Sequence, residues 1–305
     1  MTVQSARQPR RAFEDLWDFD RPAETQSKFR DYQREHAAAM SDDERLELQT
    51  QFARTHSLQR EFDAAHRILD AVEAELTGDT PVAHVRCLLE RGRAFNSAGD
   101  NEKARQHFGA ALTAAQVRGW DGYAVDAAHM IANTNAATPD EALKWNHAAL
   151  TLAEASPDPV ARRWRASLCN NIGWALFTHE KFDDALAFFE RALLLREEEG
   201  AAGEIRVARW SIGRCLRSLG RAEEALAIHR ELEAEMEAAA SDRPDGFVFE
   251  EIGECLRMLR RNDEATPYFR RAHELLSRNP WLAEHEPARL KRIATLGGAG
   301  ARPSA

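Results

Sequence analysis

The sequence is short of the residues that turn-rich β-proteins use. Its 305 residues include 16 glycines, 11 prolines and 3 tyrosines, poor material for a sandwich or a barrel. No apolar run approaches the ~20 residues that cross a bilayer. Met1 to Arg11 carries basic residues but no apolar segment of a secretory signal. Cysteine is scarce and scattered. Cys87, Cys169, Cys215 and Cys255 form no C-x-x-C pair and read as small, reduced thiols of a cytoplasmic protein. Positive charge is in deficit, with a net charge of −9, so neither nucleic acid nor a membrane is expected as a partner. Catalytic signatures are missing too. There is no G-x-x-x-x-G-K-[ST], H-E-x-x-H or G-x-S-x-G, and no clustered Cys/His set. The eleven histidines are dispersed, and the carboxylates follow helix surfaces, as in Arg196-Glu197-Glu198-Glu199. The expectation is a chain that is not an enzyme, with no catalytic residue, metal or cofactor.

What the chain does have is a repeat. Ile172-Gly173-Trp174-Ala175-Leu176, Ile212-Gly213-Arg214-Cys215-Leu216 and Ile252-Gly253-Glu254-Cys255-Leu256 stand 40 residues apart. Twelve residues after each glycine comes Ala185, Ala225 or Ala265; sixteen after it comes Phe189, His229 or Phe269; nineteen after it comes Ala192, Leu232 or Ala272. Upstream, Gly92 leads to Phe95, Gly99, Ala104, Phe108 and Ala111, Ala53 to Ala65, Leu69 and Val72, and Met130 to Ala142, Asn146 and Ala149. The frame fits paired helices. A small residue in the first helix, and an alanine in the second, allow close approach, and larger residues fill the space against the next pair. No pair buries its apolar face alone, so neighbours must stack.

This order of small, aromatic and alanine positions resembles the tetratricopeptide repeat over roughly residues 42–280. The resemblance implies an all-α fold, a right-handed superhelical solenoid of about six helix pairs with capping helices at both ends. The units here are longer than the usual 34 residues, leucine mostly replaces the first-helix aromatic, and Asn133 and Asn146 stand where apolar residues are usual. The expected division is a disordered N-terminus (1–12), a capping segment (13–41), and a repeat array (42–280). Its units are roughly 46–80, 85–120, 123–156, 160–200, 206–240 and 246–280. A closing helix (281–296) and a flexible tail (297–305) follow. Ser41-Asp42-Asp43-Glu44 and Thr138-Pro139-Asp140-Glu141 read as capping boxes. The aromatic stretch Phe13 to Phe19 is expected to cap the first repeat, with a partner-binding hook as the alternative.

In the resembled family the first helices line a concave groove. Register assigns the groove side chains, since residues three, four and seven apart share a helix face. The stripe includes Leu89, Ala127, Ile131, Glu250 and Glu254. The candidate partner-binding residues on it are Arg54, Arg86, Arg93, Asn96, Asn135, Asn170, Trp174, Phe177, Trp210, Arg214, Arg217 and Arg257. Arginine and tryptophan are types enriched at binding hot spots, and the asparagine amides offer both donors and acceptors to an extended backbone. The family's two-carboxylate clamp is excluded. Only Asn171 matches it, with Ala127, Ile131, Val207 and Ser211 at the other places. The function expected is a protein- or peptide-binding adaptor for an acidic or carboxylate-bearing segment with an apolar anchor. A self-associating structural array is the alternative, and the oligomeric state is left open.

Overall fold

The frame marked by the small residues fixes how five of the first helices stop. The computed structural model of the chain describes residues 10–135, 138–200, 202–239 and 245–298. Seven positions after the small residue the backbone is left-handed in five places: Arg60, Gly99, Glu180, Gly220 and Arg260, with φ of 64°, 88°, 58°, 80° and 60°. The next residue's N–H then reaches back five residues to a carbonyl, as in Glu61 to His56 and Arg221 to Leu216, both 2.9 Å. This is the hydrogen-bond pattern of a Schellman helix end, which turns the chain sharply into the second helix. Glycine takes the left-handed conformation freely, and Arg60, Glu180 and Arg260 adopt it at a cost.

The chain divides into two compact units, Met1–Leu168 and Cys169–Ala305. The first begins with a 3-10 helix, Ala12–Leu16, and α1 (Pro22–His36). It continues through α2 (Asp42–Leu58), α3 (Phe62–Glu75), α4 (Pro81–Ser97), α5 (Asn101–Arg118), α6 (Asp121–Thr134), α7 (Pro139–Ala155) and α8 (Pro159–Arg162). The unit boundary falls within α9 (Arg165–Thr178). The second unit continues through α10 (Phe182–Glu199), α11 (Ala202–Ser218), α12 (Ala222–Ala238), α13 (Gly246–Met258), α14 (Asn262–Leu276), α15 (Pro280–His285) and α16 (Pro287–Leu296). Within each unit successive helices pack on one another, α2 on α3 and α4, α4 on α5, α11 on α12, and α13 on α14. The described residues form an all-helical architecture. No described helix is long and apolar enough to cross a membrane.

The pairing of first and second helices is closer than the small-residue argument anticipates, and its partner is different. A Cβ added to Gly92 would lie 2.5 Å from the ring of Phe108, one on Gly173 2.6 Å from Phe189, and one on Gly213 2.5 Å from His229. The glycine therefore seats the aromatic sixteen residues on, and not the alanine twelve residues on. Phe108, Phe189 and Phe269 are fully or almost fully buried there, each burial worth roughly 1.5–3 kcal/mol. All four cysteines are free and buried, and burial pushes the thiols of Cys87 and Cys255 up to about 12.

Several local expectations change. Leu89, Ala127 and Ile131 belong to the core around Phe108 and Tyr123, because on those helices the second-helix contact takes the face assigned to the groove. Ser41 caps α2 by accepting the Glu44 N–H, but the Glu44 carboxylate accepts the Tyr32 hydroxyl. Thr138 makes no cap bond; its hydroxyl donates to the Asn135 carbonyl. The single helix expected over 281–296 is two, broken at Glu286, since Pro287 favours a helix start and has no N–H to continue one. Asn146 is buried and donates to the Ala142 carbonyl, while Asn133 is exposed. Most of the expected N-terminal disorder, most of the C-terminal tail, and residues 240–244 of the turn before α13 lie outside the described residues.

Candidate functional site

In the first unit, α2, α4 and α6 present one face of paired charges. Arg54 on α2 bonds Glu90 on α4 at 3.1 Å, and Glu90 also takes Arg93 at 2.7 Å. Arg93 reaches both oxygens of Asp126 on α6 at 2.6 Å. Glu47, whose side chain is wholly buried, accepts Arg86 at 3.2 Å and Arg11 at 2.8 Å. Burial raises the carboxyl pKa of Glu47, against the pull of Arg86 and Arg11. For Asp126 burial acts the same way, but Arg93 outweighs it and the pKa falls.

The N-terminal segment lies on this face. Glu14 pairs with Arg86, the Trp17 indole donates to Gln51 at 3.1 Å, and Arg54 lies over the Phe19 ring at 5.5 Å. Phe13 and Phe29 are fully buried with Leu48 and Phe52. Phe19 is 56% exposed and stacks on Trp17 at 4.7 Å.

In the second unit the corresponding face of α9, α11 and α13 is aromatic at its centre. Trp174 meets Phe177 at 5.2 Å, Phe189 at 5.0 Å and Trp210 at 5.9 Å, and Trp210 meets Phe247 at 6.2 Å. The Arg214 guanidinium lies 5.6 Å from the Trp174 ring, 5.7 Å from Phe177 and 5.4 Å from Trp210, a cation–π arrangement with three rings. Its nearest acid is Glu251, at 3.9 Å, which hydrogen-bonds Arg217 at 2.7 and 3.1 Å. Burial lowers the pKa of Arg214, with Glu251 offsetting part of the effect. Arg217 has the same burial, but the hydrogen bond and charge of Glu251 prevail and its pKa rises. Beyond them, Glu250 holds Arg289 at 2.7 Å, and Glu254 holds Arg257 at 3.1 Å and also Arg292.

The twelve candidates are divided between the two units. Arg54, Arg86, Arg93, Asn96 and Asn135 belong to the first unit, and Asn170, Trp174, Phe177, Trp210, Arg214, Arg217 and Arg257 to the second. Among the described residues, five of the six arginines have a carboxylate within hydrogen-bond distance and Arg214 does not. Asn135 is occupied, its amide donating to the Ile131 carbonyl at 2.9 Å. The plainer sequence reading, that these arginines pair with neighbouring acids, did not say which acids hold them. The signal was present: an Arg one place after the small residue, at Arg54 and Arg214, and a Glu two places before the next small residue, at Glu90 and Glu251.

Residues 165–199 match the family model of the tetratricopeptide repeat. No curated protein sequence is similar to the chain. Among solved structures, apo RapI is similar over 95% of this chain and 83% of its own, with 12% identity and a TM-score of 0.69. A signal-transduction ATPase with a tetratricopeptide repeat sensor, from Pyrococcus horikoshii, is similar over 90% of this chain and 41% of its own, with 12% identity and a TM-score of 0.67. BtubC from P. vanneervenii is similar over 77% of this chain and 95% of its own, with 16% identity and a TM-score of 0.58. At such identities the likeness is one of fold. Residues 165–199 thus carry a tetratricopeptide repeat, and the chain shares an all-helical, tetratricopeptide-like fold with these structures.

Proposed function

We propose that the chain is a non-catalytic, cytoplasmic scaffold that takes a protein or peptide partner on the face of α9, α11 and α13. The observation that carries this reading is Arg214. It is a partly buried cation over three aromatic rings, without a hydrogen-bonded carboxylate of its own among the described residues. Such a group favours a ligand that brings a carboxylate and an apolar surface together. Repeat arrays present extended surfaces suited to such segments, and the repeat portion of the Pyrococcus protein is described as a sensor. Arg86 and Arg93 have no part in this reading, since Glu47, Glu14 and Asp126 hold them. The division of 42–280 into six helix pairs, with 13–41 and 281–296 closing the ends, belongs to the same proposal.

The test is to pan a displayed library of random peptides on the immobilised protein and on its Trp174→Ala and Arg214→Glu variants. Wild type is expected to enrich peptides with Asp or Glu next to a large apolar residue, and each variant to lose that enrichment. Equal enrichment on all three removes this face as the binding surface. Light scattering covers self-association: a dimer that either substitution dissociates gives the face to a second copy of the chain.

A further inference from the structure

Beside the aromatic centre, α11, α12 and the start of α13 enclose a cavity of about 520 Å³. Its walls are mainly apolar, formed by Val207, Trp210, Leu232, Met236, Phe247 and Val248. Val207 is 56% exposed at its edge. The polar residues around it are Arg206, Glu235 and Asp245. Glu235 is paired with Arg209, and Asp245 caps α13 by accepting the Phe247 N–H at 2.8 Å. Arg206 makes no ion pair or hydrogen bond among the described residues.

Arg206, Trp210 and Arg214 are four residues apart in succession on α11 and so share one stripe. The two arginines are about 12 Å apart along the axis, at ~1.5 Å per residue. Trp210 lies between them and belongs both to the cavity wall and to the rings around Arg214. An extended chain advances ~3.3 Å per residue, so two carboxylates reaching both arginines stand about four residues apart, with the middle residue over Trp210.

We propose that this cavity is a socket for one large apolar side chain of an acidic partner segment, with flanking carboxylates held by Arg206 and Arg214. The inference deepens the reading of the α9–α11–α13 face and rests on it. It adds the position of the anchor, the spacing of the acids and a residue, Arg206, outside the expected set. Asp245, at the α13 side, disfavours a third carboxylate there.

The probe is a fluorescein-labelled, end-capped peptide, Gly-Ser-Glu-Ser-Phe-Ser-Glu-Ser-Gly, titrated by fluorescence polarisation at low salt. Two further peptides replace the Phe by Ser, or both Glu by Gln. The proteins are wild type, Val207→Asp, Arg206→Glu and Arg214→Glu, each checked for helix content by circular dichroism. Val207 is exposed, so its substitution leaves the core intact. The expected result is binding by wild type, and a loss of at least about ten-fold with Val207→Asp and with the Phe-to-Ser peptide. Arg206→Glu is expected to weaken binding several-fold and to reduce its salt dependence. If wild type does not bind the probe, or if Val207→Asp and the Phe-to-Ser peptide bind as well as the originals, the socket is wrong. Loss with Arg214→Glu alone removes the socket and keeps the aromatic face; no loss with any variant removes both.

Discussion

On the first unit's face Arg54 follows the small residue of α2 and bonds Glu90, two places before the small residue of α4. On the second unit's face Arg214 and Glu251 hold the same two places. In both, one glutamate faces two arginines. In the first unit the second arginine, Arg93, takes one Glu90 oxygen together with Asp126, and Arg54 takes the other Glu90 oxygen. In the second unit Arg217 takes both Glu251 oxygens, and Arg214 is left at 3.9 Å. The aromatic cover differs as well. Arg54 has Phe19 from the N-terminal segment, whereas Arg214 has three rings of α9 and α11. One frame thus gives a face closed by its own ion pairs and a face with a cation to offer.

The comparison breaks most sharply at Glu47. Changing Glu47→Gln leaves Arg86 and Arg11 short of their shared buried partner, and breaking such a pair costs about 3–5 kcal/mol. Urea denaturation is expected to show that loss; a change under about 1 kcal/mol would mean that the first face is held by something other than its charges.

His229 is the next lever, confined to the second unit. It sits over Gly213 where the neighbouring repeats have Phe189 and Phe269, and neither ring nitrogen has a partner among the described residues. Burial lowers its pKa to about 4, against ~6.5 in an unfolded chain. The unfolded state therefore binds the proton first as pH falls. The contribution of neutral His229 is complete above about pH 6.5 and declines as pH falls towards and through 4, by roughly 3 kcal/mol in all. His229→Phe is expected to remove this slope, and hydrogen exchange in α11 and α12 at pH 7 and 5 reads it. A slope that survives the substitution assigns it to another group.

Smaller effects separate the glycine sites. Gly92→Ala places a Cβ 2.5 Å from Phe108, whereas Gly253→Ala places one 3.0 Å from Phe269. The first is expected to cost about 1–3 kcal/mol by overpacking and the second less. Equal costs in thermal melts would show that the two rings yield equally.

The smallest effect sharpens the comparison from the other side. Arg214→Gln removes a cation that has no hydrogen-bonded acid among the described residues, so it is expected to change stability by less than about 1 kcal/mol. Arg93→Gln, which leaves Asp126 buried and unpaired, is expected to cost several times as much, roughly 3 kcal/mol or more. Similar urea midpoints for these two variants would mean that both arginines are structural.

Much of the fold was legible because its frame is local. Gly173, Gly213 and Gly253 with Phe189, His229 and Phe269 recur at fixed distances, and a helix pair needs little beyond that period and a turn. The left-handed turn was signalled by Gly99 and Gly220, but Arg60, Glu180 and Arg260 hid it, since nothing in those side chains requires a positive φ. The break before Pro287 was missed by giving periodicity more weight than a missing N–H. At the candidate site Trp174, Phe177, Trp210 and Arg214 were found together because the repeat puts them on adjoining first helices. The arginine partners Glu47, Glu90, Asp126 and Glu251 were overlooked because composition counts cations without pairing them. Arg206 was overlooked because the cavity it lines is formed by three helices.

The sequence by itself determined the helix pairs, their recurring glycine and aromatic positions and the stripe on which arginine and tryptophan gather, because helical period and side-chain size are properties of the chain one segment at a time. Only the tertiary structure decided which of those arginines is available. The charge a guanidinium can offer depends on carboxylates 33 to 39 residues away in sequence, and it takes packed neighbours to bring them within 3 Å of Arg93 and Arg217 but leave Arg214 at 3.9 Å.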